Sequence, residues 1–147
     1  MATIRIPSDF KEFLKLLATH KCRFLIIGGY AVNAYGYVRN TIDLDIWIAS
    51  DHENQERVIG AIRDFGFTGA TVALLQETDA MLRMGVPPLR LEVMKSIAGV
   101  DFEDCWARRV LIHDDEVDIP MISLDDLKQN KRAAGRTKDL LDIEELP

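Results

Sequence analysis

The segment Asp43–Ile48, Asp-Leu-Asp-Ile-Trp-Ile, constrains the fold most strongly. Its polar and apolar residues alternate at the start, which is typical of a strand with one buried face. Because successive strand side chains point to opposite faces, Asp43 and Asp45 project together. Two adjacent carboxylates repel each other, and a divalent cation between them removes that repulsion. The sequence therefore predicts a metal-binding carboxylate pair, with an ion pair between one aspartate and Arg39 as the alternative.

Hydrophobic periodicity predicts an α+β (mixed α/β) fold in which helices flank a small mixed β-sheet. Strands are expected at residues 23–27, 43–48, 71–75, 81–84, 89–95 and 117–121. Helices are expected at about 10–18, 30–35, 52–65, 102–109, 124–134 and 138–146. No repeat or linker interrupts this order. Residues 1–147 are therefore expected to form a single minimal domain that ends in the helices of 123–147.

A third acidic residue, Glu92, lies in the middle of the alternating segment Leu89–Lys95. It shares the polar face of that strand with Arg90. A carboxylate in the middle of a strand is costly unless it is paired or bound to a metal. We therefore expect Glu92 to complete the metal site, with an ion pair to Arg90 as the alternative.

The glycine pair Gly28-Gly29 follows an apolar strand and precedes a short helix. Without Cβ atoms, such a turn lets backbone N–H groups approach a phosphate, and the start of the helix adds partial positive charge. The alternative is a tight turn with no ligand. A Gly-Lys-Ser/Thr sequence and a third glycine at the proper offset are both missing. The pair is therefore neither a P-loop nor a dinucleotide-binding fingerprint.

Basic residues cluster near the C-terminus, although the net charge of −6 argues against a broad nucleic-acid-binding surface. The cluster contains Lys128, Lys131, Arg132, Arg136 and Lys138. Lys131 shares a helical stripe with the apolar residues of its helix, so it is expected to point inward. An inward lysine needs an anionic partner, which is either a carboxylate or a triphosphate.

Together these residues resemble the nucleotidyltransferase superfamily with the DNA polymerase β-like fold. In that family a Gly-Gly pair after a strand is followed by a helix and then by Asp-x-Asp on the next strand. The segment IIGGYAVNAYGYVRNTIDLDIWI has this pattern, and Glu92 matches the third acid of the family on a later strand. The closing segment NKRAAGRTKDLLDIEEL is similar to the branch that contains abortive-infection nucleotidyltransferase toxins and related small proteins.

The resemblance implies transfer of a nucleoside monophosphate from an NTP to an acceptor hydroxyl, with release of pyrophosphate. Asp43, Asp45 and Glu92 would then be the catalytic residues and would hold two Mg²⁺ or Mn²⁺ ions. Glu92 is also a candidate general base. The nucleotide-binding residues implied by the resemblance are Gly28, Gly29, Arg39, Thr41, Lys131, Arg136 and Lys138.

The expected partners are an NTP and an acceptor, which is an RNA, a protein or a small molecule. An antitoxin partner and a homodimer are further expectations. The apolar runs are too short to span a bilayer, which favours a cytoplasmic protein without membrane contact. A catalytically inactive nucleotide- or partner-binding module of the same fold, as in a toxin–antitoxin pair, is one alternative. An aspartyl-phosphate hydrolase is another, although its nucleophilic aspartate normally ends a long apolar strand, whereas Asp43 begins one.

Overall fold

The structure is a computed structural model that describes residues 6–37, 43–77, 81–113 and 117–147. Its strands are β1 (Phe24–Ile27), β2 (Asp43–Ile48), β3 (Leu82–Val86), β4 (Leu89–Met94), β5 (Val110–His113) and β6 (Asp118–Met121). Its helices are α1 (Ser8–Thr19), α2 (Gly28–Ala34), α3 (His52–Asp64), α4 (Val72–Glu77), α5 (Phe102–Ala107), α6 (Leu124–Ala134) and α7 (Thr137–Glu145).

The strands form one mixed sheet in the order β3-β4-β2-β1-β6-β5. Strand β2 lies inside the sheet, antiparallel to β1 and parallel to β4. Strand β1 is also parallel to β6, and the two outer strands pair antiparallel with their neighbours. The predicted fold class, a small mixed sheet with flanking helices, is therefore confirmed.

The alternation of strand β2 separates its core residues from its acidic residues. Leu44 and Ile46 have no exposed surface, whereas Asp43 and Asp45 are half-buried. Helix α1 likewise buries the four members of its apolar stripe, Phe10, Phe13, Leu14 and Leu17. The two-residue period of strand β2 therefore places its carboxylates at the border between the core and the surface.

Two expected elements differ from the structure. The strand predicted at residues 71–75 is wrong, because this segment leads into helix α4. The Thr71 hydroxyl accepts a hydrogen bond from the backbone N–H of Leu74, as a helix-capping residue does, and Leu75 then turns into the core. Strand β5 was not predicted. It pairs with β6 from Val110↔Met121 to His113↔Asp118, and this long-range pairing defines it as a strand.

Candidate active site

Gly28 brings the end of strand β1 into close contact with Asp45 of strand β2. Its φ of +68° lies in the left-handed region that favours glycine. A Cβ atom at this position would lie 2.1 Å from Asp45 Oδ2, 2.9 Å from Asp45 Cγ and 3.1 Å from Asp45 Cβ. Any larger residue would therefore displace the aspartate. The glycine turn and the carboxylate pair, which are separate patterns in the sequence, form one local structure.

Three carboxylates converge because strands β2 and β4 run parallel and in register. Asp45 lies opposite Glu92, and Asp43 lies opposite Arg90. One carboxylate oxygen from each of Asp43, Asp45 and Glu92 falls within 4.8 Å of the other two. Glu92 is only 6% exposed, which is rare for a glutamate side chain. The three acids predicted from the sequence thus form one compact cluster.

Two arginines bind two of these three carboxylates. Arg90 donates from Nε to Asp43 Oδ1 at 2.7 Å and from Nη2 to Asp43 Oδ2 at 3.0 Å. Arg83, the cross-strand neighbour of Glu92, donates from Nε to Glu92 Oε1 at 3.0 Å and places Nη2 at 2.9 Å from the same oxygen. Arg90 Nε also lies 4.0 Å from Glu92 Oε1, so the alternative ion pair between Arg90 and Glu92 is present but longer than the contact of Arg90 with Asp43.

The pKa values of the two aspartates shift in opposite directions. The hydrogen bonds from Arg90 hold the pKa of Asp43 below its ordinary value. Burial, together with the neighbouring charges of Glu92 and Asp43, raises the pKa of Asp45 to about 8. Asp45 therefore retains a proton at neutral pH while the cluster holds no cation. A cation that replaced this proton would relieve the repulsion among the three acids.

The donor set fits a hard divalent cation such as Mg²⁺ or Mn²⁺. Among the described residues, Asp45 Oδ1 is buried and has no hydrogen-bond partner. A buried carboxylate oxygen without a donor is unfavourable, and a bound cation would satisfy it. Oxygen ligands from a few carboxylates are those that Mg²⁺ prefers, with water and phosphate completing its shell.

A cleft of about 700 Å³ connects the acid cluster to the basic C-terminal segment. The predicted site residues that line it are Gly28, Gly29, Asp43, Asp45, Glu92, Lys131, Arg136 and Lys138. Arg39 and Thr41, which were also predicted to bind nucleotide, lie outside the described residues. The cleft therefore has an acidic wall from β2 and β4 and a basic wall from helices α6 and α7.

Lys131 is buried, as its place on the helical stripe predicts, and its anionic partners are carboxylates. Its Nζ lies 2.9 Å from Asp142 Oδ2 and 3.4 Å from Asp139 Oδ1. Arg136 also donates to both oxygens of Asp139, at 2.7 and 3.2 Å. These pairs tie helix α6 to helix α7. Among the described residues Lys138 has no ion-pair partner, and its positive charge acts on Asp45.

Sequence reasoning missed two features of this site. Arg83 was not predicted, because its contact with Glu92 depends on the register of the β3–β4 hairpin. The pairing of Arg90 with Asp43 depends on the long-range register between β2 and β4. The position of Arg83 between the apolar Leu82 and Met84 was the available signal, but it does not identify the partner.

Comparison with known proteins gives the fold. No protein-family model matches the chain, and no curated protein is similar to it in sequence. Solved structures do match, among them a Thermotoga maritima protein described provisionally as a nucleotidyltransferase. That match has a TM-score of 0.60 and 14% identity, and it covers 97% of this chain and 94% of the other. This chain has the nucleotidyltransferase fold.

A second match is the lincosamide antibiotic adenylyltransferase LnuA with lincomycin bound. Its TM-score is 0.58 at 17% identity, over 97% of this chain and 96% of LnuA. The nucleotidyltransferase fold expected from the glycine pair and the carboxylates is thus confirmed, and the roles of the individual site residues stay predictions. None of the helices in the described residues combines the length and apolar character needed to cross a membrane.

Proposed function

We propose that this chain is a metal-dependent nucleotidyltransferase, which moves a nucleoside monophosphate from an NTP to an acceptor hydroxyl. The observation that carries the proposal is the cluster of Asp43, Asp45 and Glu92 beside the glycine turn, with the buried Asp45 Oδ1 left without a donor. The fold shared with an adenylyltransferase supports the same reaction class. We further propose that residues 1–147 act as one minimal domain.

In the proposed reaction, the acceptor oxygen attacks the α-phosphorus and the bond from that phosphorus to the bridging oxygen of the β-phosphate breaks. Pyrophosphate leaves with the electron pair of that bond. Mg²⁺ or Mn²⁺ held by the three carboxylates would stabilise the negative charge that develops on the phosphate oxygens. Glu92 faces the same space, and its carboxylate accepts the proton of the acceptor hydroxyl.

The basic wall of the cleft binds the triphosphate in this proposal. The charges of Lys131 and Arg136 are balanced by Asp139 and Asp142, so these residues mainly hold helix α7 in place. Lys138 has no such balance among the described residues and is exposed, which makes it the best placed cation for a phosphate. The turn at Gly28 keeps side chains out of the space next to Asp45.

The proposed acceptor is an RNA, a protein or a small hydroxyl compound such as an antibiotic, and the proposed setting is the cytoplasm. LnuA acts on a small molecule, and its match covers 97% of this chain and 96% of LnuA, which supports a small hydroxyl compound as the acceptor. A homodimer would add acceptor-binding surface. In a toxin–antitoxin arrangement, the partner would be a second protein that controls the transferase.

The test is label transfer from each of the four NTPs, labelled at the α-phosphate, in the presence of Mg²⁺. The acceptors offered are total RNA, cell protein and a set of small hydroxyl compounds. Wild type is compared with Asp45→Asn and with Asp9→Asn, which removes an exposed carboxylate on helix α1. We expect label in one acceptor class with wild type and Asp9→Asn only. Equal labelling by Asp45→Asn would overturn the proposal.

A second candidate function is a catalytically inactive module that binds a nucleotide or a partner protein. The observation that favours it is the pairing of Arg90 with Asp43 and of Arg83 with Glu92, which occupies carboxylate oxygens that a metal would need. In this case wild type would bind nucleotide or copurify with a partner, and no label would reach any acceptor.

A further inference from the structure

The two arginines of the acid cluster are functional groups that the proposed reaction does not yet use. Arg90 binds Asp43 with both arms of its guanidinium, and Arg83 binds Glu92. Asp45 is the member of the cluster to which neither arginine donates among the contacts of the described residues. The pairing is therefore selective, and it engages two of the three prospective ligands.

The charges explain why this pairing matters for a cation. Even with all three carboxylates ionised, the two guanidinium groups reduce the formal charge of the cluster to −1, which is a weak attraction for a divalent ion. An incoming cation would also meet two positive groups at hydrogen-bond distance from its own ligands. At this range repulsion between full charges is large, even at the effective dielectric constant of a protein surface.

The geometry also gives the arginines another place to go. The side chain of Arg83 is 53% exposed and that of Arg90 is 27% exposed, and Arg83 lines the cleft. A guanidinium fork matches a phosphate as well as it matches a carboxylate. The phosphates of an NTP in the cleft would therefore offer a new partner to Arg83, which lines the cleft, when a cation binds the acids. Arg90 is partly exposed and lies 2.7 Å from Asp43, which lines the cleft, so the same phosphates would be the nearest new partner for it.

We propose that Arg90 and Arg83 are positioning residues that hold Asp43 and Glu92 until a metal–NTP complex arrives, and then transfer to its phosphates. This inference rests on the proposed function. It makes binding of the cation and of the nucleotide interdependent: the bare cation binds weakly, and the cation binds strongly together with the triphosphate. The same two ion pairs that disfavour the bare metal thus select its nucleotide complex.

A purely structural role for the ion pairs leads to a different expectation. If the arginines only brace strands β2, β3 and β4, their removal would lower stability and would weaken or leave unchanged the affinity for a cation. If they compete with the cation, their removal would strengthen binding of the bare cation. The two roles therefore predict opposite signs for the same measurement.

The experiment measures Mn²⁺ affinity from the EPR signal of the unbound ion, with and without a non-hydrolysable NTP analogue. The variants are Arg90→Gln, Arg83→Gln and Arg90→Lys. Arg57→Gln serves as the control, because Arg57 pairs with Glu53 on the surface of helix α3, away from the cleft. Urea unfolding of each variant verifies that it is folded, and the two glutamine variants test the inference independently.

We expect Arg90→Gln and Arg83→Gln to bind Mn²⁺ alone about tenfold more tightly than wild type, or better. They should also lose most of the gain in affinity that the NTP analogue gives to wild type. Arg90→Lys, which keeps the charge without the fork, should stay close to wild type for Mn²⁺ alone. Unchanged or weaker Mn²⁺ binding by both glutamine variants would overturn the inference.

The same data separate this inference from the proposed function. If no variant binds Mn²⁺ with or without nucleotide, both are wrong. If the glutamine variants gain Mn²⁺ affinity but wild type transfers no label to any acceptor, the transferase proposal fails and the role of the arginines stands.

Discussion

The substitution Gly28→Ala probes the close contact between the glycine turn and Asp45. The new Cβ would lie 2.1 Å from Asp45 Oδ2, far inside van der Waals contact. Rotation of the carboxylate does not relieve the overlap, because Asp45 Cγ and Cβ are also close, at 2.9 and 3.1 Å. Either strand β1 or Asp45 must therefore move. Movement of Asp45 takes its oxygen out of the acid cluster.

The expected loss of stability has two parts that a matched variant separates. Alanine in the left-handed conformation costs roughly 1–2 kcal/mol, and overlap in a packed site costs about another 1–3 kcal/mol. Gly135 has nearly the same φ, +67° against +68°, but its nearest neighbour for a Cβ is the Arg132 carbonyl oxygen at an ordinary 3.7 Å. Gly135→Ala therefore carries the first part alone.

Urea unfolding of wild type and the two variants measures the difference, and Mn²⁺ binding reports on the position of Asp45. We expect Gly28→Ala to lower the free energy of unfolding by about 1–3 kcal/mol more than Gly135→Ala does. It should also abolish tight binding of Mn²⁺ with nucleotide, which Gly135→Ala keeps. Equal destabilisation by the two variants, with Mn²⁺ binding intact in both, would refute the argument.

Three other predictions concern charged groups of the cleft. The pKa of Asp45 is raised to about 8 in the folded protein, whereas in the unfolded chain the same carboxyl loses its proton near pH 4. Without metal, the free energy of unfolding should therefore fall by up to about 5 kcal/mol as pH rises from 4 to 8. Urea unfolding across this range measures the fall, and the same pH dependence in Asp45→Asn would contradict the prediction. Lys131→Met removes the buried ammonium group that lies 2.9 Å from the buried Asp142 and 3.4 Å from Asp139, and it should cost about 3–5 kcal/mol. The exposed Arg132→Met should cost almost nothing, and similar urea midpoints for the two variants would contradict the buried-pair argument. Lys138→Ala should weaken binding of an NTP analogue roughly tenfold in calorimetry, and an affinity equal to that of wild type would remove Lys138 from the phosphate site.

The local part of the site was predictable from the sequence. The placement of Asp43 and Asp45 on one face follows from the two-residue period of a strand, which does not depend on the rest of the chain. The inward position of Lys131 follows in the same way from the helical period, and the structure confirms it with 4% exposure. Periodicity gives the direction of a side chain, but it does not give its partner.

The partners depend on long-range pairing that periodicity does not contain. Asp43 meets Arg90, which is 47 positions away in the sequence, because β2 and β4 are parallel neighbours in the sheet. Arg83 meets Glu92 through the register of the β3–β4 hairpin. Helix α4 was missed for a local reason, because a short apolar run suits a strand as well as a helix.

Anomalous diffraction from crystals grown with Mn²⁺ and a non-hydrolysable NTP would show directly whether the acid cluster holds the metal. We expect an anomalous peak within about 2–2.5 Å of oxygens from Asp43, Asp45 and Glu92, with the triphosphate on the same ion. Mn²⁺ found elsewhere, with nucleotide bound and both arginines still on their carboxylates, would contradict the assignment of this cluster as the metal site.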